Sequence, residues 1–252
     1  MAAFFTAAST QYMTCAAPLV LDYPFTVGLI AKLTAVGSVS RVLWGLTDTG
    51  TADNYLLIRM PNTEAPAVVA AAGGTDNSTT AAGTMTAGAW MFILGRFVSS
   101  TERKINTYSF SNGAIATGVT TTARAPTGMD TITLGALSTS GGISLPWDGA
   151  IAEYWLANAD VGSPGVSIPN QDVHALALKG PFAFSHIVKN LVEYRSFRKS
   201  LLSTSDDPSE TYYGGWGRHT WTETNGVTIS PHPPLPYYYR KPRQIIRGPV
   251  PF

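Results

Sequence analysis

The strongest constraint in this sequence is a succession of short runs rich in branched and aromatic residues. Each is closed by Gly, Asp, Thr or Ser, and no long helical pattern lies between them. "FTVGLIAKLT" (25–34), "SRVLWGLTD" (40–48), "NYLLIRMP" (54–61), "AWMFILGRFVSS" (89–100), "DTITLGAL" (130–137) and "DGAIAEYW" (148–155) each read as a strand. "RKINTYSFSNGAIATGV" (103–119) reads as a hairpin, because Asn112-Gly113 accepts the positive φ of tight turns between antiparallel strands. "APAVVAAAGG" (65–74) is ambiguous: its alanines favour helix, its flanking Pro and Gly-Gly a short strand. Eight or more such strands predict an all-β antiparallel fold, a sandwich or barrel. A sandwich follows readily, since each strand buries one face against the opposite sheet.

Trp44, Trp90, Phe92, Trp147 and Trp155 are the expected core or rim aromatics. One short helix is predicted in "SIPNQDVHALALKG" (167–180), with Asn170 as its cap, Val173, Leu176 and Ala177 at helical spacing, and Gly180 as its stop. His174 in that helix reads as a surface or packed residue, with no neighbouring His to share a metal. Residues 1–17 are small and apolar and suit an arm or a first edge strand.

Charge is sparse, at 13% of residues, which suits a chain whose surface is partly covered by other subunits. The formal net charge of +1 gives no global field toward nucleic acid or membrane. Residues 1–180 carry eight Lys or Arg against eleven Asp or Glu, and residues 181–252 nine against five, so the basic excess is C-terminal. Cys15 is the only cysteine, so an intrachain disulfide and a cysteine zinc site are excluded. The N-terminal stretch has no Lys or Arg before its apolar residues and is not expected to be a signal peptide. No apolar run reaches the ~18 residues of a membrane span.

The end, "ISPHPPLPYYYRKPRQIIRGPVPF", is rich in proline and is expected to run extended, because proline removes the donors a sheet or helix needs. Three divisions follow: an N-terminal arm or edge strand (1–17), a sandwich (18–180), and an extension ending in a basic arm (181–252). The arm residues expected to dock on a neighbour are His232, Pro233, Pro234, Tyr237, Tyr238, Tyr239, Arg240, Lys241, Arg243, Arg247 and Phe252. Docking on the chain's own sandwich satisfies the same residues. Four cations in the last sixteen residues are too few to favour nucleic acid over a carboxylate-bearing partner.

Trp90, the Asn112-Gly113 turn, Ile132 to Gly135, and the segment Trp147, Asp148, Gly149, Ile151 and Glu153 follow one another in an order that resembles the laminin-G-like, or concanavalin A-like, jelly-roll superfamily. The likeness covers roughly residues 20–180. It implies a jelly-roll sandwich in which these residues are structural. The tail is similar to extensions found on jelly-roll proteins of tailed bacteriophages, through Leu191 to Tyr194 and His232-Pro233-Pro234. That second resemblance implies a virion structural protein made in the host cytoplasm. The expectation is a homo-oligomeric capsid decoration, cement or minor head protein on the capsid surface, partnered by the major capsid protein or other virion proteins. The alternatives are a tail or baseplate protein that binds host glycan, or a secreted lectin-like domain.

Glu153 raises the catalytic question. Glycosidases need paired carboxylates, one protonating the leaving oxygen while the other attacks or activates water. Asp148 and Glu153 stand five apart, the wrong parity for one face of a strand unless a bulge intervenes, and no third acid accompanies them. Glu153 therefore reads as a scaffold acid that accepts backbone N–H bonds or pairs with Arg96 or Arg124. No Ser-His-acid set, phosphate loop or zinc-protease motif is present, and the chain is expected to be non-enzymatic with no cofactor. Asp48, Asp53, Asp76 and Asp130 lie in turns, and calcium remains an open alternative there. Tyr212, Tyr213, Trp216 and Trp221, in "YYGGWGRHTW", are the candidate exposed glycan patch.

Overall fold

The structure, a computed structural model, describes residues 2–17, 23–37, 39–81, 83–162, 168–196 and 221–230. Its strands are β1 (Ala2–Phe5), β2 (Tyr12–Ala16), β3 (Phe25–Leu33), β4 (Arg41–Thr47), β5 (Tyr55–Met60), β6 (Ala67–Ala72), β7 (Thr75–Thr80), β8 (Trp90–Phe97) and β9 (Arg103–Ser109). They continue with β10 (Ile115–Thr120), β11 (Thr131–Leu134), β12 (Leu137–Thr139), β13 (Gly142–Ser144), β14 (Gly149–Ala157), β15 (Leu191–Ser196), β16 (Thr222–Thr224) and β17 (Thr228–Ser230). Two helices, α1 (Asn170–Lys179) and α2 (Ser185–Lys189), complete the described elements with two 3-10 turns.

The strands form an all-β antiparallel sandwich. The first sheet runs β10-β9-β8-β3-β14-β1-β17, with β15 also on β14; the second runs β16-β2-β11-β4-β5-β6-β7; β12 and β13 pair as a separate hairpin. Along β14, Ile151, Tyr154 and Leu156 join the core between the sheets, while Ala150, Ala152, Trp155 and Ala157 point the other way. This is the two-residue period of a strand, interrupted by a bulge between Ile151 and Glu153. The outward residues are buried as well, because Val173, Leu176 and Ala177 of α1 and Ile187 of α2 pack over them. That second covering explains why β14 reads as an almost unbroken apolar run.

The helical layer is fixed by a buried ion pair. Arg96, fully buried on the outward face of β8, donates from Nε and Nη2 to the two oxygens of Asp160, both at 2.6 Å. Thr26 Oγ1 holds the same loop through the carbonyl of Ala159 at 2.7 Å. At the far side the sheets converge: a Cβ on Gly118 of β10 would lie 2.2 Å from the Thr80 carbonyl oxygen of β7, so only glycine fits there.

Several elements differ from the sequence reading. The alanine-rich 67–72 is strand β6, because burial on both faces between β5 and β7 outweighs the helix preference of alanine. The polar edge strand β7, "TDNSTT", carries little apolar signal and was not anticipated; neither was hairpin β12–β13. The N-terminal residues form two strands in opposite sheets, β1 between β14 and β17 and β2 between β11 and β16. Beyond residue 180, β15 pairs with β14 at the expected "LVEYRSF", α2 is a second helix, and β16 and β17 return to the two sheets. Helix α1 starts at Asn170, with Pro169 rather than Asn170 in the cap position. Its stop is as expected: Gly180 takes φ +60 and donates to the Leu176 carbonyl. Among the described residues no helix is long and apolar enough to cross a membrane.

Candidate functional site

The helices pack on the outer face of the first sheet, whereas the described residues over the outer face of the second sheet are those of the β12–β13 hairpin. Antiparallel register aligns three ranks across β5, β6 and β7: Tyr55, Ala71 and Asp76; Leu57, Val69 and Ser78; Arg59, Ala67 and Thr80. Directly opposed residues share a face, so all nine belong to one surface. Leu57 and Val69 are buried with Val42 and Leu137, where the hairpin covers the sheet. At the β7 edge Asp76, Ser78 and Thr80 are exposed, while the small side chains of β6 beside them, Ala67, Val69 and Ala71, are buried.

Two long side chains cross that shallow floor to one acid. The Tyr55 hydroxyl donates to Asp76 Oδ1, and Arg59 Nη1 lies 3.4 Å from Asp76 Oδ2. The side chain of Asp76 is 42% exposed and that of Arg59 20%. Arg59 Nε is buried with no partner. Burial first, and then the bond to Asp76 and its charge, push the Tyr55 phenol well above its ordinary range, so it remains a donor. The trough thus presents one aromatic face, one carboxylate with acceptor capacity and one guanidinium with donors. This set matches vicinal hydroxyls and the C–H face of a sugar ring.

Of the residues singled out in the sequence, Trp147, Gly149, Ile151 and Glu153 are buried. Trp90 is half-buried at the start of β8, with the Lys32 ammonium 5.1 Å from its ring centroid. Asn112 and Gly113 do form the turn between β9 and β10, but in a loop running from Ser109 to Ala114: Gly113 takes φ +72, and Asn112 Oδ1 accepts from the Ala114 N–H at 3.0 Å. Gly135 takes φ +86 over the Phe5 ring, where a Cβ would approach to 2.6 Å. Trp221 is not exposed. It is 2% accessible, packs edge-on to Tyr154 and donates to Glu193 at 3.2 Å, so it belongs to the core. Tyr212, Tyr213 and Trp216 lie outside the described residues, as do the arm residues His232 to Phe252.

The bulge in β14 removes the parity objection to Asp148 and Glu153, but their separation remains. Gly149 pairs with Leu33 and Glu153 with Ile30, which leaves four strand steps between the two acids. At the strand rise this is ~13 Å, beyond the ~5–9.5 Å that glycosidase pairs span. Glu153 is only 1% exposed. Of the cations expected to pair with it, Arg96 holds Asp160, and Arg124 donates to the carbonyls of Thr75 and Ala123. In the trough the carboxylate that Tyr55 and Arg59 both reach is that of Asp76.

The turn acids fall in two places: Asp48 and Asp130 serve the same 48–51 turn, while Asp53 and Asp76 lie by Tyr55. Asp48 accepts from the Gly50 N–H, Asp130 from Thr49, and Asp76 from Tyr55. Among the described residues no group of three or more His, Cys, Asp or Glu is placed to hold a metal ion.

No family model matches the chain, and no curated protein is similar to it. Solved structures are. A candidate carbohydrate binding protein from Bacteroides ovatus aligns with 91% of this chain at 17% identity and a TM-score of 0.53; the chain spans 59% of that protein's length. A CBM40 module of the Ruminococcus gnavus IT-sialidase, solved with α2,3 sialyllactose, matches 56% of this chain and 78% of its own at 16% identity and TM-score 0.45. The NanB sialidase of Streptococcus pneumoniae matches 62% of this chain and 28% of its own, at 19% identity and TM-score 0.46. At 17% identity the likeness to the Bacteroides ovatus protein shows the fold alone.

The expected setting is corrected by these matches. The fold is shared with a chain described as carbohydrate-binding, where tailed-bacteriophage virion proteins were expected. The capsid decoration or minor head role, the major capsid protein as partner, the oligomer argued from it and the capsid-surface location all fall with that resemblance. The jelly-roll sandwich it shared with the first resemblance stands.

Tyr55 and Arg59 were missed as site residues, and Asp76 was weighed only as a turn acid. The signal was there at period two in "YLLIR". Reading it required resolving 67–72 as a strand, since β6 is what sets Asp76 opposite Tyr55.

Proposed function

We propose that this chain is a non-enzymatic, lectin-like carbohydrate-binding module. Its sugar is held on the outer face of the second sheet by Tyr55, Arg59 and Asp76. The observation that carries the reading is the convergence of a tyrosine and an arginine on one half-exposed carboxylate at the β7 edge. The fold shared with the Bacteroides ovatus protein supports it. The carboxylate accepts from paired sugar hydroxyls, the guanidinium donates to ring or acidic oxygens, and the Tyr55 ring packs against C–H groups.

The test is calorimetric titration with a panel of neutral and sialylated oligosaccharides. Binding by the wild type should fall at least tenfold in Asp76→Ala and in Arg59→Ala, with thermal unfolding little changed. Binding unaffected by both substitutions would place the sugar elsewhere, and an inert panel would remove the reading.

A further inference from the structure

Strand β7 sends alternate side chains to opposite faces, and the two sets are used differently. On the inner side, Asn77 Oδ1 accepts from Arg103 Nη2 at 2.8 Å and from Thr120 Oγ1 at 2.9 Å. On the outer side Asp76, Ser78 and Thr80 stand opposite Ala71, Val69 and Ala67 of β6, and all three are exposed. Among the described residues the Ser78 and Thr80 hydroxyls have no hydrogen-bond partner. The three side chains form a line with steps of ~6.8 Å, twice the rise per residue of a strand, so each step has room for one sugar ring.

Arg59 flanks that line. It belongs to the rank of Thr80, across Ala67, yet its Nη1 lies 3.4 Å from Asp76 Oδ2, two ranks away. Its side chain therefore passes the rank of Ser78, beside the buried small residues of β6. Past Asp76 the line runs out over the turn between β6 and β7, where Gly73 and Gly74 carry no side chain. A Cβ on Gly73 would meet nothing within 4 Å, and one on Gly74 would lie 3.6 Å from the Asp53 carboxylate. A site for a single sugar needs walls at its ends. Here the trough continues into unspent hydroxyls on one side and a bare turn on the other. We propose that Asp76 marks the first subsite of a groove along β7 for a linear oligosaccharide, with Ser78 and Thr80 as specificity-determining residues that meet the next sugars. This rests on the glycan reading above and names its ligand class: an unbranched chain rather than a single terminal sugar. Each hydroxyl both donates and accepts, so it matches a sugar hydroxyl in either sense.

The test is calorimetric titration with β1,4-linked series of glucose, galactose and N-acetylglucosamine, from the single sugar to the tetrasaccharide. A series that binds through Asp76 should gain about threefold to tenfold in affinity with each of the second and third sugars, the worth of an added hydrogen bond. The double variant Ser78→Ala with Thr80→Val keeps the strand and should bind the single sugar as the wild type does, with most of that gain lost. Binding that needs Asp76 but stays flat with chain length, or a gain untouched by the double variant, overturns this inference and leaves the trough reading standing. Binding by none of the series removes the trough reading and this inference with it.

Discussion

Removing the carboxylate of Asp160 tests how the helical layer is attached. Asp160 accepts from two nitrogens of a fully buried arginine, and its own side chain is 5% exposed. Asp160→Ala takes the counter-charge from Arg96 in a place water does not reach. Breaking one partner of such a pair costs about 3–5 kcal/mol, because the remaining charge is left uncompensated. With a urea m-value of about 2–3 kcal/mol per molar, the unfolding midpoint should drop by about 1–2.5 M. Asp160→Asn keeps an acceptor and should fall between variant and wild type. Glu153→Ala, which removes a buried acid of β14, should cost less, about 1–3 kcal/mol, the range for a buried hydrogen-bonded group. Chemical denaturation of the three variants, followed by tryptophan fluorescence, decides the matter. A loss below about 1 kcal/mol for Asp160→Ala, or a larger loss for Glu153→Ala than for Asp160→Ala, refutes the assignment of Arg96 to Asp160.

Burial, with the Glu193 charge adding to it, pushes the Cys15 thiol from its ordinary 9.0 up to about 12. The native state therefore keeps a proton that the unfolded chain releases, and stability should be complete below about pH 9 and decline as pH rises toward 12. Cys15→Val should reduce that alkaline slope, leaving the part due to the buried tyrosines Tyr23, Tyr55 and Tyr154, and thiol labelling of the wild type should occur only at the rate of global unfolding. Asp130 behaves in the opposite sense: burial raises it, but the bonds from Thr49 outweigh this and hold it below its ordinary value. Its contribution is present above its ordinary pKa and lost as pH falls through the lower native one, so Thr49→Ala should lower stability at neutral pH and cost progressively less as the pH falls, making the acid slope shallower. Gly118→Ala should destabilise the edge where the sheets meet, since the Thr80 backbone has to move; hydrogen exchange in β7 and β10 should rise before that of β14.

The sandwich was legible because β3, β4, β8 and β14 carry dense branched and aromatic runs with turn residues at their ends. Helix α1 was legible in the spacing of Val173, Leu176 and Ala177. What escaped had a physical reason. β7 is an exposed edge strand, so it needs almost no apolar residues, and its partner β6 is written in alanine, which belongs to both helix and strand. The trough is assembled by cross-strand register over those two strands, and register is set by pairing that local sequence does not declare. Trp221 misled because glycine and aromatic residues look alike in a loop and beside a core; only its contact with Tyr154 and Glu193 separates the two. The phage setting rested on a short motif in a tail whose composition constrains fold very little.

The central claim is that a sugar lies on the open face of the second sheet. Backbone amide shifts during titration with an oligosaccharide that binds report this most directly. The account predicts the largest changes at Tyr55, Arg59, Ala71 and Asp76, absent in Asp76→Ala. Shifts confined to the first sheet or to residues beyond 196, with β5 to β7 silent, would contradict it.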